Sequence, residues 1–553
     1  MIRRTPHLPQ ILFCKDRVGA PLLIAKWAER VVKVFLLSVL LSVQTSAQFV
    51  RELDALNAPV GGSTSDRFGA AVEWSKNFIA VGAPSWNSIS PTLGPQAASG
   101  AVHLYFPIPA GGYAFVGSLQ DPEPRANDFY GQALSVADGW LAVGAPGTNA
   151  SGACAQGTCL QAGAAWIWRE SGNVFVSFGQ VTHSDPRAID LFGTALSMWH
   201  DREIGQPPEL AVGAPLDDAP SNNCGSVTIF ALSSSTGQFE QAAFIAAPVL
   251  PGASAFSAAD GLFGCTVVHD GDVLIVGAKR RTESVDKQGL VFVFRRNIDD
   301  IAVPIMPSPA AWGPWKLMQI LRTAGNPIVS EEFGTSLDLY GNVLAVGAPG
   351  GSTSPGSVTV FSLVEELDSG FIPTSRMEAI GGRPGDQFGA SVQVTSRVCY
   401  VGAPGYDAGS GAGLIPNRGV VYEFQLESDR FLWEQTLVCH PLPLEQSIDP
   451  SVSMSVPDAG IGTSLALGVG EIVVGAPKAN NALPLQGLAM IYESERGTCL
   501  GDLNGDGVVA SADFTLLFGA WGSSAQFADI NNDGSVSGLD LVYLLSTFGP
   551  CDL

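Results

Sequence analysis

The sequence predicts a mainly β protein: a seven-bladed β-propeller followed by a small all-α module. One segment pattern recurs seven times, and the C-terminal end holds two copies of a single acidic loop. The 64 glycines and 37 prolines indicate many turns between short strands. Hydrophobic residues make up 46% of the chain and charged residues 15%, which is typical of a packed globular protein.

The repeated segment opens with an aromatic-Gly step (Ile-Gly in the last copy) and closes with Gly-Ala-Pro or a close variant. In the second copy, the apolar runs Ala133 to Val136 and Trp140 to Val143 flank the turn Ala137-Asp138-Gly139. Short apolar runs between turn residues fit strands that are buried on both faces. A spacing of roughly 55–73 residues leaves room for four strands, which is one propeller blade. The opening glycines are Gly69, Gly131, Gly193, Gly264, Gly334, Gly389 and Gly462.

The last blade lacks a fourth strand, because the chain runs from Gly487–Tyr492 directly to Cys499. The segment Phe49 to Leu53 precedes the first repeat as fourth strands precede the others. Pairing this segment with the last blade would close the ring and cover two open sheet edges. We therefore expect residues 48–496 to form one propeller of seven blades.

Residues 1–47 have the order of a secretory signal. Lys26, Arg30 and Lys33 precede the apolar run Val34 to Val43, and Thr45-Ser46-Ala47 offers small residues for cleavage before Gln48. We expect a secreted or cell-surface protein, with an uncleaved anchor as the alternative. The run is short for a membrane span, and no later stretch of 18 apolar residues exists, so the mature chain is expected to have no span.

The formal net charge of -23 makes nucleic acid an unlikely class of partner, because an acidic surface repels phosphate backbones. Export also bears on the nine cysteines, of which eight remain after residue 47. An even number in an exported chain indicates disulfides. Cys154 and Cys159 are close enough to bridge one loop, and Cys499 and Cys551 bracket the C-terminal module. Zinc is the competing interpretation, but no paired Cys-x-x-Cys spacing exists. The pairing of four cysteines stays open: Cys224, Cys265, Cys399 and Cys439.

Acidic residues recur once per repeat, near the aromatic-Gly step. They could form a ring of ligands, but once-per-blade placement favours carboxylates that accept backbone N–H groups in the turn before the strand. Four tryptophans, Trp74, Trp140, Trp166 and Trp168, could stack on sugars, although packing between blades is commoner. The acids are Asp66, Asp128, Asp190, Asp260, Glu331, Glu332, Asp386 and Asp458.

The repeat resembles the FG-GAP family, the blades of integrin alpha-like propellers. The resemblance covers about residues 49–494 and implies a scaffold that presents loops to a protein or polysaccharide partner. Many members carry Asp-x-Asp-x-Asp-Gly calcium loops between the two halves of the repeat. This chain has short turns there, such as Ser75-Lys76-Asn77 and Ala137-Asp138-Gly139. Calcium is therefore not expected in the blades.

The two C-terminal loops run from Asp502 to Asp513 and from Asp529 to Asp540. Oxygen side chains at loop positions 1, 3, 5 and 12, with Gly at position 6, meet the high oxygen coordination of calcium in a tight turn. Position 7 would supply a backbone carbonyl. Because the spacing occurs twice, we expect two calcium ions. The expected ligands are Asp502, Asn504, Asp506, Val508 and Asp513 in the first loop, and Asp529, Asn531, Asp533, Ser535 and Asp540 in the second.

Each loop leads into an amphipathic helix. Phe514, Leu517 and Trp521 share one face, as do Leu541, Leu544, Leu545 and Phe548. Residues 497–553 resemble a type I dockerin, the module that plugs enzymes into cohesin-bearing scaffolds. The resemblance implies a cohesin-like receptor as partner. Recognition pairs at loop positions 10 and 11 are often polar in that family, and here they are Ser511-Ala512 and Gly538-Leu539.

These observations favour a non-catalytic extracellular binding protein, with a propeller that presents loops and a calcium module that docks the whole. The alternative is a component of extracellular polysaccharide degradation, since dockerin-like tails usually accompany glycoside hydrolases. A glycosidase needs two carboxylates across a cleft, and the sequence places no such pair. A Ser-His-Asp hydrolase is disfavoured because the sequence has no Gly-x-Ser-x-Gly motif.

Overall fold

The computed structural model describes most of residues 51–493 and parts of the C-terminal module, all within the compact unit Val50–Leu553. Up to residue 493 it leaves out 60–61, 109–111, 152–156, 173, 202–204, 219–220, 251–258, 297–311, 351–353, 365–369, 380, 396–397, 410–413, 428–431, 438–456, 469 and 481–482. In the module it describes 508–522, 536–538, 541, 544–545 and 549–550. The expected signal segment lies outside these residues.

Seven four-stranded antiparallel sheets follow one another along the chain, which confirms the predicted seven-bladed propeller. Sheet 1 is Ala71–Ser75, Phe78–Ala83, Ala101–Pro107 and Tyr113–Leu119; sheet 2 is Leu134–Ala137, Trp140–Ala145, Ala164–Glu170 and Phe175–Val181. Sheet 3 is Ala195–Trp199, Glu209–Ala214, Ser226–Leu232 and Phe239–Ala246; sheet 4 is Phe263–Asp270, Val273–Ala278, Leu290–Arg296 and Trp315–Leu321. Sheet 5 is Ser336–Tyr340, Val343–Ala348, Ser357–Val364 and Gly370–Met377; sheet 6 is Ser391–Val394, Val398–Ala403, Val420–Glu427 and Leu432–Leu437.

Sheet 7 is discontinuous in sequence. Its first three strands are Ser464–Leu467, Glu471–Ala476 and Leu488–Glu493, and its outer strand is the N-terminal segment Arg51–Leu56. The N-terminal strand runs antiparallel to the third strand, with Leu56 opposite Ala489, and this is the pairing expected from the sequence. Each sheet in a ring needs a neighbour on both sides, so this strand fastens the two ends of the propeller together.

Two short β-hairpins lie within the loops that connect the second and third strands. Ser88–Ser90 pairs with Gly94–Gln96 in sheet 1, and Ala150–Ser151 pairs with Thr158–Cys159 in sheet 2. Both hairpins therefore lengthen the same connection of the blade, the one that follows the Gly-Ala-Pro segment.

The glycine of each Gly-Ala-Pro segment is required by the close approach of neighbouring sheets. A Cβ atom on Gly82 would lie 2.1 Å from the carbonyl oxygen of Gly131 in the next sheet. The same contact closes the ring, because a Cβ on Gly475 would lie 2.1 Å from the carbonyl oxygen of Gly69. Each of the seven blades repeats this contact, so both glycines of the motif serve the packing of one sheet on the next.

The hydrophobic core lies between the sheets. The second strand of every sheet is buried along nearly its whole length, which explains why these strands are continuous apolar runs. One cluster joins Leu56, Ile491 and Val473 of sheet 7 to Ile79 and Val81 of sheet 1. Apolar packing therefore continues across the point where the ring closes.

The C-terminal module contains the helix Ser511–Gly519 and a short antiparallel pairing of Val508–Val509 with Gly549–Pro550. This pairing adds a β element to the predicted helical module and brings the last residues of the module beside its first loop. None of the helices among the described residues has the length and apolar character needed to cross a bilayer.

Candidate functional site

The structure describes two of the ten expected calcium ligands. Val508 lies in the short strand pair, and Asp513 lies in the first turn of the helix Ser511–Gly519. The other eight fall outside the described residues: Asp502, Asn504, Asp506, Asp529, Asn531, Asp533, Ser535 and Asp540.

Asp513 is fully buried, and its Oδ2 accepts a hydrogen bond from the Ala510 amide at 2.8 Å. The Asp513 amide in turn donates to the Ala510 carbonyl oxygen at 3.2 Å. A negative charge in the first turn of a helix is stabilised by the N–H groups there. This arrangement fits a carboxylate at the last position of a calcium loop, where the helix begins. Most of the other ligands expected in that loop are also side-chain oxygens.

The core of the module consists of Val509, Leu517, Ala520, Val536 and Leu544, with Phe514 and Leu541 packed against it. Two residues of the predicted apolar faces are exposed instead. Trp521 is 45% exposed and Leu545 is 54% exposed, while Phe548 lies outside the described residues. Trp521 comes two residues after the end of the helix Ser511–Gly519, so it does not continue the buried face of that helix.

Phe518 and Trp521 form an exposed aromatic pair, with ring centroids 5.5 Å apart and planes tilted by 28°. Ser511 and Ala512 are exposed at the start of the same helix. Gly538 is exposed at the equivalent place in the second half of the module, and Leu539 lies outside the described residues. The helix therefore presents both of its expected recognition residues and an apolar patch to solvent.

In five blades the repeated acid of the propeller stabilises a turn. Oδ2 of Asp128, Asp190 and Asp386 accepts the amide three residues earlier at 2.6–2.7 Å, and each carboxylate is buried. Asp66 is held in the same way by Ser63, and Glu331 by the Ile328 amide. The expectation that these acids stabilise turns is confirmed in five blades.

In the other two blades the acid is exposed and accepts an asparagine side chain. Asn223 donates to Asp260 at 2.8 Å, and Asn417 donates to Asp458 at 2.7 Å. Across the described residues, no group of three or more His, Cys, Asp or Glu residues is arranged to hold a metal ion.

Trp140 packs between blades, as expected. Its ring meets Phe239 of sheet 3 edge to face at 5.4 Å, and Arg169 lies 4.8 Å above it. Trp74 and Trp168 are half-buried, and each indole N–H donates to a tyrosine hydroxyl, Tyr113 and Tyr130 respectively. Trp166 is also half-buried.

Of the two predicted disulfides, only the one that involves Cys159 includes a described residue. Cys159 is disulfide-bonded, while Cys154, Cys439, Cys499 and Cys551 lie outside the described residues. Three of the four cysteines whose pairing the sequence left open are free thiols: Cys224, Cys265 and Cys399. Cys224 and Cys399 are buried and behave as small apolar residues in the core.

A buried ion cluster that sequence reasoning missed joins sheets 3 and 4. Glu209 accepts His269 Nε2 at 2.9 Å and Arg296 Nη1 at 2.9 Å, and Arg296 stacks 4.6 Å above Trp315. Burial alone would raise the pKa of Glu209, but the hydrogen bonds from His269 and Arg296 outweigh it and lower the pKa to about 2. No spacing in the sequence links these three residues.

Two carboxyls on innermost strands were also missed. Burial, with repulsion from Asp338, raises the pKa of Glu73 to about 8, and burial raises that of Asp338 to about 7. Asp338 Oδ2 accepts the Val394 amide of the next sheet at 2.6 Å. Ser197 accepts the His269 amide in the same way, so this strand position links neighbouring blades.

The comparisons with known proteins concern the fold and the C-terminal module. No curated protein matches this chain. Among solved structures, it is similar to the crystal structure of the Saccharomyces cerevisiae Sqt1, with 9% identity, coverage of 80% of this chain and 99% of that chain, and a TM-score of 0.40.

The family model described as Dockerin type I domain matches residues 500–547, which include both predicted calcium loops. Domains of this family generally bind calcium, dock to cohesins and are typical of extracellular proteins. The chain therefore carries a dockerin type I domain at residues 500–547, on the C-terminal side of a seven-bladed β-propeller.

Proposed function

We propose that this is a secreted, non-catalytic, calcium-binding protein whose propeller is an interaction scaffold and whose tail docks the molecule to a cohesin-like receptor. The observation that carries the proposal is the dockerin type I match at residues 500–547. The propeller partner is an extracellular protein or polysaccharide, in keeping with the resemblance of the blades to FG-GAP repeats. Export follows from cleavage near Gln48.

The tail holds two calcium ions, one in each loop. The Asp513 carboxylate supports this assignment, because it lies at the start of the helix Ser511–Gly519, where the last ligand of a calcium loop is expected. Calcium selects the folded module by mass action, so docking depends on calcium.

The receptor contacts the exposed face of the helix Ser511–Gly519. Ser511 and Ala512 give polar and small contacts at its start, and the stacked pair Phe518–Trp521 provides an apolar anchor at its end. Exposed aromatic residues on a soluble module are typical of binding surfaces.

Calcium titration of the full protein tests the metal assignment. We expect two tight ions, and Asp502→Ala with Asp529→Ala should abolish both. Asp272→Ala is the matched control, because this exposed acid lies in the turn where FG-GAP relatives often carry calcium loops. A stoichiometry well above two, or a loss of calcium in the control, would refute the assignment.

Binding to a panel of type I cohesins, with and without a chelator, tests the docking role. Trp521→Ala should weaken binding at least tenfold, while Leu93→Ala, which removes a comparably exposed apolar side chain from the propeller, should not. Calcium-independent binding, or no binding to any cohesin, would contradict this role.

The dockerin domain also favours a second candidate, an accessory component of extracellular polysaccharide degradation. In that case the mature protein would release reducing sugar from a polysaccharide or increase its release by a partner hydrolase. A hydrolysis screen over plant and microbial polysaccharides, alone and with glycoside hydrolases, decides between the two.

A further inference from the structure

A cavity of about 480 Å³ opens on the face of the propeller where the first strands begin and the second strands end. Three blades line it: Arg67 comes from sheet 1, Gln387 from sheet 6, and Thr463 and Lys478 from sheet 7. We call this the blade 6–7–1 pocket. Its volume lies in the range of about 300–1,000 Å³ that is usual for small-molecule sites.

The pocket contains two cations that have no carboxylate partner among the residues that the structure describes. Arg67 is half-buried, and its side chain makes one long hydrogen bond, 3.5 Å from Nη1 to Gln132 Oε1. Within the described part of the chain, no Asp or Glu oxygen lies within 4.0 Å of the Arg67 guanidinium or of the exposed Lys478 ammonium. A guanidinium that is partly desolvated without a counter-charge is costly, and a bound anion would offset this cost.

Backbone geometry does not require an arginine at position 67. The residue before each aromatic-Gly step has a left-handed φ in six blades, with values of 54–59°, and side chains of very different chemistry are found there. The residues are Arg67, Phe129, Leu191, Leu262, Glu332 and Gln387. The charge at Arg67 is therefore a property of this pocket rather than of the repeat.

The equivalent cation in sheet 4 is neutralised. Arg280 follows the Gly-Ala-Lys segment of sheet 4, as Lys478 follows the Gly-Ala-Pro segment of sheet 7. Arg280 Nε lies 3.9 Å from Glu332 Oε1, so the charge of Arg280 is balanced by that carboxylate. The blade 6–7–1 pocket, with two cations and one carboxylate, is a positive site on a chain of net charge -23.

The remaining polar side chains of the pocket are suited to hydrogen-bond with the hydroxyl groups of a ligand. Asp458 is held by Asn417 through a 2.7 Å hydrogen bond, and Gln387 and Thr463 add an amide and a hydroxyl. The Asp458 carboxylate disfavours a phosphate dianion or a run of acidic side chains by repulsion, whereas it accepts hydrogen bonds from hydroxyl groups. The complementary ligand has one carboxylate and several hydroxyl groups.

We propose that the blade 6–7–1 pocket binds a uronate unit of an acidic polysaccharide. The carboxylate of the sugar pairs with Arg67 and Lys478, and its hydroxyl groups hydrogen-bond to Asp458 and Asn417. Small lining residues such as Ala390 and Gly460 leave room for the sugar ring. This inference rests on the proposed scaffold function of the propeller and assigns it a ligand class.

Calorimetric titration of the full mature protein tests the proposal. The probes are di- and trisaccharides of galacturonate, glucuronate and mannuronate, at constant free calcium and about 50 mM salt to limit screening. We expect saturable binding of at least one series. Arg67→Gln should weaken it about tenfold or more and Lys478→Gln several-fold, since charge-assisted contacts are lost. Arg280→Gln, the matched control, should bind as the wild type does.

Three comparison ligands complete the experiment: neutral disaccharides, inorganic phosphate and a tetraglutamate peptide. Equal binding of the neutral sugars, binding of phosphate or peptide only, or equal loss in Arg280→Gln would overturn the proposal, as would no binding of any uronate. Lys478 is exposed, so its variant remains informative if Arg67→Gln folds poorly. Calcium-dependent cohesin binding, measured on the same samples, separates failure of the pocket from failure of the docking function.

Discussion

Removal of the N-terminal strand is expected to destabilise the whole propeller rather than one blade. Arg51–Leu56 pairs with Leu488–Glu493 at five positions. The register shifts once, between Glu52 and Asp54. Roughly four ladder hydrogen bonds at about 1 kcal/mol each are lost. Leu56 is 2% exposed, and its burial contributes about 2–3 kcal/mol more.

The sum, about 6–7 kcal/mol, is comparable with the total stability of about 5–15 kcal/mol that is usual for a folded protein. The deletion also leaves the edge of Leu488–Glu493 unpaired, and an open edge can pair with another molecule. We therefore expect the truncated protein, beginning at Asn57, to melt at a much lower temperature and to aggregate.

Thermal unfolding followed by circular dichroism, with size-exclusion chromatography, measures both effects against a protein that begins at Gln48. Two point variants separate packing from chain length. Leu56→Ala should cost about 2–4 kcal/mol, whereas Asn57→Ala, at the exposed neighbouring position, should cost little. A truncated protein that stays monomeric and melts at the wild-type temperature would show that this strand does not fasten the ring.

Three further outcomes are expected. Gly213→Ala should destabilise by several kcal/mol because its Cβ would lie 2.0 Å from a backbone oxygen of the next blade, and Gly117→Ala, in open space, should be near neutral in denaturant unfolding. The pKa of Glu209 is about 2 in the folded protein, below its ordinary 4.5, so its contribution of about 3 kcal/mol is present above pH 4.5 and is lost as pH falls toward 2. Unfolding curves at several pH values should show this loss in the wild type but not in Glu209→Gln. N-terminal sequencing of secreted material should begin near Gln48, and recovery only from the cytoplasm would contradict export.

The propeller was largely predictable because its requirements are local and repeated. The glycines of the aromatic-Gly and Gly-Ala-Pro steps recur in every blade, since each approaches the next sheet too closely for a Cβ atom. The missing fourth strand of the last blade, together with the strand before the first repeat, pointed to the pairing found at Arg51–Leu56. The dockerin module was predictable for the same reason, because its two acidic loops repeat one pattern at fixed spacing, and the dockerin type I match at residues 500–547 confirms the module.

The cysteines show where such reasoning ends. Their even number indicated disulfides but left the pairing of Cys399 open, and Cys399 lies inside a buried strand as a free thiol. Counting cysteines does not give distances between them, and a buried strand position accepts a thiol simply as a small apolar side chain. Likewise, Trp521 follows the helical period but is exposed, because the helix ends two residues before it.

The sequence by itself determined the number of blades, the N-terminal strand that closes the ring and the dockerin module, since the residues that specify each of them lie within one repeat or one loop. Only the tertiary structure decided which distant side chains share a site. Glu209 meets Arg296 across two blades, and Arg67 reaches a pocket with Lys478 because the first and seventh blades become neighbours when the ring closes. Ring closure brings together residues whose separation along the chain follows no periodic pattern. The sequence therefore does not show which of their charges lie close together, and only the folded protein does.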